Sequence, residues 1–162
     1  MTFMNPNTLI TPAEVIDLAF ADAGYLPPDS IGAADIAAAE TRTLLPVTGQ
    51  ALWQSLLEGK YPALRRDYVL PAAAAAVRLG MQPMLDLRCG AGGAALCALL
   101  GERAADEQTL LRSRKAQRSR LAALLRRLSD YLDACADRYP EYDARDNVLH
   151  RVSVCGGLLL LR

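Results

Sequence analysis

Histidine is almost missing from this chain, and cysteine is thin. One His and four Cys occur among 162 residues, and Cys89, Cys97, Cys135 and Cys155 form no C-x-x-C pair. Metal sites built from Cys and His need closer spacing or more ligands than this. The sequence therefore predicts no metal centre and reads the thiols as buried or idle in a reducing compartment. Aromatics make up 6% of the residues, so the core falls to Leu, Ala, Val and Ile. With β-branched residues sparse, that choice favours helices over sheets. No apolar run approaches the roughly 18 residues of a membrane span. The start, Met1-Thr2-Phe3-Met4-Asn5-Pro6, has neither the basic flank nor the apolar stretch of a signal peptide. An excess of one charge is also lacking. Net charge is zero, which gives no general attraction to nucleic acid or membranes.

What is present is globular in composition: 52% hydrophobic and 22% charged residues. The length suits one domain over residues 1–162 with a core that needs no staples. The expected fold class is mainly α, a helical bundle with one long C-terminal helix plus a small β-hairpin or strand element. Thr11-Pro12-Ala13-Glu14 holds a cap, a first-turn proline and a capping-box glutamate. Ile16, Ala19, Phe20 and Ala23 share the inward face of the helix that follows, and Gly24 is its expected end. A second helix runs from about Ala33 to Leu44, with Pro46 as its stop. A third carries Leu52, Trp53, Leu56 and Leu57 and closes at Gly59. Tyr61-Pro62 opens another helix, which Pro71 is expected to break. Ala72 to Val77 are mostly small, inviting close approach by a neighbour.

Residues 86–100 hold Gly90, Gly92 and Gly93 and read as a loop or hairpin arm. The longest element spans 104–138. Leu111, Leu121, Leu125, Leu128, Leu132, Cys135 and Tyr139 lie on one stripe there, interrupted by the polar Arg118. Short strands are expected over 151–161, around Gly156-Gly157.

Three candidate sites stand out. Met84-Leu85-Asp86-Leu87-Arg88-Cys89-Gly90-Ala91-Gly92-Gly93 resembles the first motif of S-adenosylmethionine-dependent methyltransferases, where a strand ends in a glycine loop. Too few strands surround it to supply such an enzyme's sheet, so no cofactor is expected. The second candidate is the basic cluster Arg112, Arg114, Lys115, Arg118, Arg120, Arg126 and Arg127, with no acid between Gln108 and Ser129. These seven cannot share one helix face. No interleaved aromatic offers a base-stacking platform, though phosphate contact is chemically open to them. Asp130, Asp133 and Asp137 follow, so the charge order opposes the helix dipole. A partner explains that order. Residues 1–60 carry Arg42 and Lys60 against Glu14, Asp17, Asp22, Asp29, Asp35, Glu40 and Glu58, a net of −5. The basic helix of one copy is expected to meet such an acidic surface on the next. The third candidate, His150, has no recognisable nucleophile beside it in sequence. No catalytic residue is predicted.

Several landmarks then carry a resemblance. They are Ile10-Thr11-Pro12-Ala13-Glu14-Val15, Asp35-Ile36-Ala37-Ala38-Ala39-Glu40, Leu45-Pro46-Val47-Thr48-Gly49, Leu52-Trp53, Gly59-Lys60-Tyr61, Tyr68-Val69-Leu70-Pro71, Tyr139-Pro140-Glu141-Tyr142 and Arg151-Val152-Ser153-Val154-Cys155-Gly156-Gly157. In that order they resemble a family of uncharacterised prophage proteins encoded among virion structural genes. At the level of helix order, the chain also resembles the head–tail connector (adaptor) proteins of long-tailed phages. The resemblance implies a non-enzymatic adaptor that self-associates into a ring below the portal, with portal and tail proteins as partners and DNA passing nearby. It implies residence in the bacterial cytoplasm during assembly and then in the virion, with no membrane and no cofactor. The alternative expectation is a helical interaction module of another kind or, behind it, an S-adenosylmethionine-dependent methyltransferase-like protein.

Overall fold

Thr11 starts the first helix as its sequence predicts. The structure, a computed structural model, describes residues 8–20, 28–88, 107–155 and 158–161. Helix α1 (Pro12–Ala19) has a full capping box: Glu14 N–H donates to Thr11 Oγ1, and Thr11 N–H donates to Glu14 Oε2 at 2.8 Å. It ends at Ala19, earlier than the Gly24 stop expected. A guanidinium supplies the reason. Arg78 Nη1 donates to the Ala19 carbonyl, and the Arg78 head lies 5.3 Å above the buried Phe20 ring. A cation at a helix C-terminus satisfies an orphan carbonyl and suits the dipole.

A 3-10 turn (Pro28–Ser30) precedes α2 (Ala33–Thr43), which has Asp35 in its first turn and Arg42 in its last. This helix ends before Pro46, as expected, with Leu44 as its C-cap. Pro46 itself opens the one-turn α3 (Leu45–Thr48), where its missing N–H costs nothing. Gly49, at φ 76°, takes a left-handed conformation that lets the chain turn into α4 (Gln50–Leu57). Leu52, Trp53 and Leu56 of α4 are buried, and Leu57 is half-buried.

Pro71 does not break its helix. The short α5 (Pro62–Leu64) runs through a π-turn (Arg65–Val69) into α6 (Leu70–Arg88). Proline lacks an N–H and clashes with the carbonyl four residues earlier. The wider π-turn, in which Leu70 N–H bonds to the Arg65 carbonyl, absorbs that conflict. Ala72 to Val77 of α6 are all buried. Their small side chains let α1, α2 and the long helix α7 (Glu107–Ala134) approach α6 together.

Asp86 to Arg88, expected to open a loop or hairpin, are helical instead; residues 89–100 lie outside the described residues. The long helix expected over 104–138 is α7, followed by a 3-10 turn (Ala136–Arg138). Cys135 N–H bonds to the Tyr131 carbonyl, and the backbone leaves helical geometry at Cys135 itself. After a short α8 (Val148–Arg151), strands β1 (Val152–Cys155) and β2 (Leu158–Leu161) pair antiparallel, with Val152 opposite Leu161. The chain is mainly helical. Its buried apolar residues, from Leu9 to Tyr142, form one cluster to which α7 contributes Leu121, Leu128 and Leu132.

Candidate interaction surface on the long helix

The predicted stripe of α7 is buried only in part. Leu121, Leu128 and Leu132 are in the core, whereas Leu111 is 56% exposed. Full burial thus begins about halfway along the helix. Before that point the side chains mostly face solvent, and five of the thirteen at 108–120 are basic.

The seven predicted basic residues separate by face. Arg112, Lys115, Arg118, Arg120, Arg126 and Arg127 are exposed, and Arg114 is half-buried. Arg127 lies over the Tyr68 ring at 4.9 Å, and Tyr68 in turn stacks on Tyr131 at 4.0 Å. This gives Arg127 a packing role. Arg120 sits beside the end of α1, in a small hollow with Ala19, Ala75, Arg78 and Gln117. Arg114 and Arg118 turn to the other flank. There, with Arg42 of α2, they line a groove of about 400 Å³ whose apolar part comes from Ala76, Leu79, Gly80 and Leu121. Among the described residues, no carboxylate lines it. Arg42 is a residue that sequence reasoning passed over, because it lies 72 positions before Arg114. Among the described residues, no ion pair reaches Arg112, Lys115, Arg118, Arg120 or Arg126.

The acidic first third divides differently. Glu14 pairs with Arg65 at 3.2 Å, and Glu58 pairs with Lys60 at 3.2 Å. Glu40 is fully buried and accepts the N–H groups of Leu9 and Ile10 at 3.0 Å. Burial pushes its carboxyl up to about 7, against the pull of those two N–H groups and of Arg65. Arg65 also donates to the Leu9 carbonyl at 2.9 Å, so Glu40 and Arg65 together hold residues 9–10 onto the fold. Asp17, Asp29 and Asp35 remain exposed, with no ion pair among the described residues. The net −5 of residues 1–60 therefore reduces to a few carboxylates that face solvent.

The other half of α7 is tied down by polar contacts that the sequence did not suggest. Asn147 is fully buried; its amide donates to Ser129 Oγ at 2.8 Å and to the Tyr142 hydroxyl at 2.9 Å. Tyr142 donates to Asp133 Oδ1 at 2.8 Å. Burial first, and then that carboxylate, push the Tyr142 hydroxyl up to about 12. His150 does gain partners: Asp133 Oδ2 at 3.0 Å and Ser129 Oγ at 3.2 Å. Both meet the same ring nitrogen, Nε2. A catalytic relay needs the serine on one nitrogen and the carboxylate on the other, so this trio works as a clasp. Farther on, Glu141 accepts from the Tyr61 hydroxyl at 2.7 Å and from Ser55 Oγ at 3.1 Å. The Tyr61 bond, ahead of the other contacts, holds the Glu141 carboxyl below its ordinary value. It also anchors Tyr61, whose φ of 57° is costly for a non-glycine residue.

The glycine motif fares differently from its letters. Met84 to Arg88 are the end of a helix, so the strand that a methyltransferase loop follows is not formed there. Gly90, Gly92 and Gly93 lie outside the described residues. Among the described residues no cluster of His, Cys, Asp and Glu could hold a metal ion, and no helix is long and apolar enough to cross a membrane.

Fold and surface together define a mainly helical protein whose long helix is anchored at one end and presented at the other. The chain belongs to a family of unknown function, DUF6712, whose family model matches residues 42–152. No curated protein and no solved structure matches it. The matched region holds the whole groove and the clasp, and it begins after Asp17, Asp29 and Asp35.

Proposed function

We propose that this chain is a non-enzymatic structural adaptor of a phage or prophage particle, working at the head–tail junction beside the portal. One observation carries the reading. The N-terminal part of α7 holds a run of mostly exposed basic side chains beside an amphipathic groove, while the rest of the helix is locked into the core and the clasp. A solvated face needs no groove, and a core helix needs no exposed basic end. An assembly protein needs both.

In this reading copies associate into a ring, with portal and tail proteins as neighbours and DNA passing close to the basic residues. The 86–100 segment and the short hairpin at the C-terminus are contact elements of that ring. The protein is made in the bacterial cytoplasm and ends in the virion. The landmark resemblance supports this setting, and the neutral net charge supports protein partners over nucleic acid.

The test is co-assembly of the full chain with the portal protein of the same prophage, imaged by electron microscopy. A ring of added density on the portal is the expected result. Portal particles that remain bare at a several-fold excess of the chain overturn the reading and leave a helical interaction module with another partner.

A further inference from the structure

Turned away from the core, α7 carries a second stripe. Arg112, Lys115, Ser119, Ala122 and Arg126 follow one another at steps of three and four residues, and Asp130 and Asp133 continue the series. All of them are exposed, on the side of the helix opposite the buried Leu121, Leu128 and Leu132. We propose that this stripe is the contact surface for a second copy of the chain. Two α7 helices pair antiparallel about a two-fold axis at Ala122 and Ala123, with Lys115 of each copy against Asp130 of the other and Arg112 against Asp133. The pairing goes beyond the adaptor reading and does not depend on it. A two-fold contact closes on itself, whereas a ring needs a head-to-tail contact through other surfaces.

The register follows from the charges. Reversing the helix about the midpoint between Ala122 and Ala123 sends residue 115 to 130, 112 to 133 and 119 to 126. Each basic end therefore meets an acidic end. Arg126 meets the Ser119 hydroxyl, and the two Arg126 side chains stay about 10 Å apart along the axes. A parallel pair would set like charges side by side over the same length, which is costly. Among the described residues, no ion pair reaches Arg112, Lys115, Arg126 or Asp130. Asp133 is held by Tyr142 at 2.8 Å and by His150 at 3.0 Å, and a carboxylate retains lone pairs for a further donor. The order of charges, basic early and acidic late, works against the dipole of an isolated helix. An antiparallel pair uses that order, because each helix end then lies beside the opposite end of its mate.

At the axis the side chains are small. Ser119, Ala122 and Ala123 let the two helices approach to about 8 Å, close enough for the flanking charges to meet. A nucleic acid fits the stripe less well, since a phosphate chain drawn along the helix by Arg112 and Lys115 would run on to Asp130 and Asp133. A contact along about 32 Å of one helix belongs to the small, transient class of interfaces. The chain is therefore monomeric when dilute and pairs when concentrated.

Two measurements on the full chain test the pairing. Sedimentation up to the highest soluble concentration should show a monomer–dimer equilibrium that added salt weakens. Lys115→Glu and Asp130→Lys should each weaken dimerisation by about tenfold or more, since the two-fold axis counts every substitution twice. Both substitutions on one chain should restore the dimer, because the reversed charges again face each other across the axis. Both positions are exposed, so circular dichroism of all three variants should stay native. Zero-length carbodiimide coupling of the concentrated wild type should join the Lys115 amine to the Asp130 carboxyl within the dimer. On one helix these groups lie about 22 Å apart, so the link forms between copies. A wild type that is monomeric at every concentration overturns the proposal. So does a dimer indifferent to Lys115→Glu, a double variant that stays monomeric, or a dimer in which Lys115 couples only to other carboxyls. A short DNA duplex that binds through Lys115 while no dimer forms gives the stripe to phosphate and overturns it too. Portal co-assembly is read separately. A chain that decorates the portal but never dimerises loses this pairing and keeps the adaptor.

Discussion

The two parts of helix α7 differ in what holds them, although the helix is continuous. From Leu121 onward, Leu128 and Leu132 are fully buried, and Ser129 and Asp133 are bonded through Asn147, Tyr142 and His150. Before Leu121, leucine is exposed at Leu111 and the flanks are basic. The difference teaches that regular helix geometry says little about where a helix belongs to its own core. Here core leucines and the polar clasp hold the helix from Leu121 onward, and the groove opens beside the residues before it.

The sharpest way to break this comparison is to truncate one leucine on each side. Leu128→Ala should cost about 2–5 kcal/mol of unfolding free energy. Leu111→Ala should stay within about 0.5 kcal/mol. Urea titrations read both, and equal losses would remove the distinction.

A pH scan is next in size and shows whether the N-terminal latch melts with the rest. The Glu40 carboxyl is raised from its ordinary 4.5 to about 7. Between those values the folded chain keeps a proton that the unfolded chain has released. This group's contribution is therefore fully present below about 4.5 and is lost as pH rises through about 7. The thermal midpoint should fall across that window, and Glu40→Gln should flatten the fall. A rise over the same window in the wild type contradicts the assignment.

In the clasp, Asn147→Ala leaves Ser129 and the Tyr142 hydroxyl short of a buried donor, at a cost of about 1–3 kcal/mol. A smaller loss than Asn147→Ala belongs to Arg127→Ala. Its loss of the Tyr68 face should cost about 0.5–1 kcal/mol, with both variants read by the same urea titrations.

Local signals in the sequence were reliable where the physics is local. Thr11 to Glu14 gave the start of α1, the stripe Leu52-Trp53-Leu56 gave the buried face of α4, and the alanine run marked the helix that others approach. What stayed illegible comes from distant partners. The end of α1 is set by Arg78, 59 residues away. Glu40 looks like a surface residue until the N–H groups of Leu9 and Ile10, 31 and 30 residues earlier, claim it. Pro71 reads as a breaker because a π-turn has no clear sequence signature. His150 lacked a partner in sequence because its partners, Ser129 and Asp133, lie on another helix. The basic cluster was legible as composition. Its division into a packing arginine, a groove pair and a solvated remainder needed Arg42 and Tyr68 to be in place.

The central claim is that the N-terminal part of α7 is presented to a partner while the rest is anchored. Amide hydrogen exchange of the full chain, alone and co-assembled with the portal, tests it most directly. In the free chain, residues 121–134 should exchange near the global unfolding rate and residues 108–120 much faster. Assembly should slow the second stretch and leave the first unchanged. Uniform protection along α7 in the free chain, or assembly that slows only residues 121–134, would contradict the account.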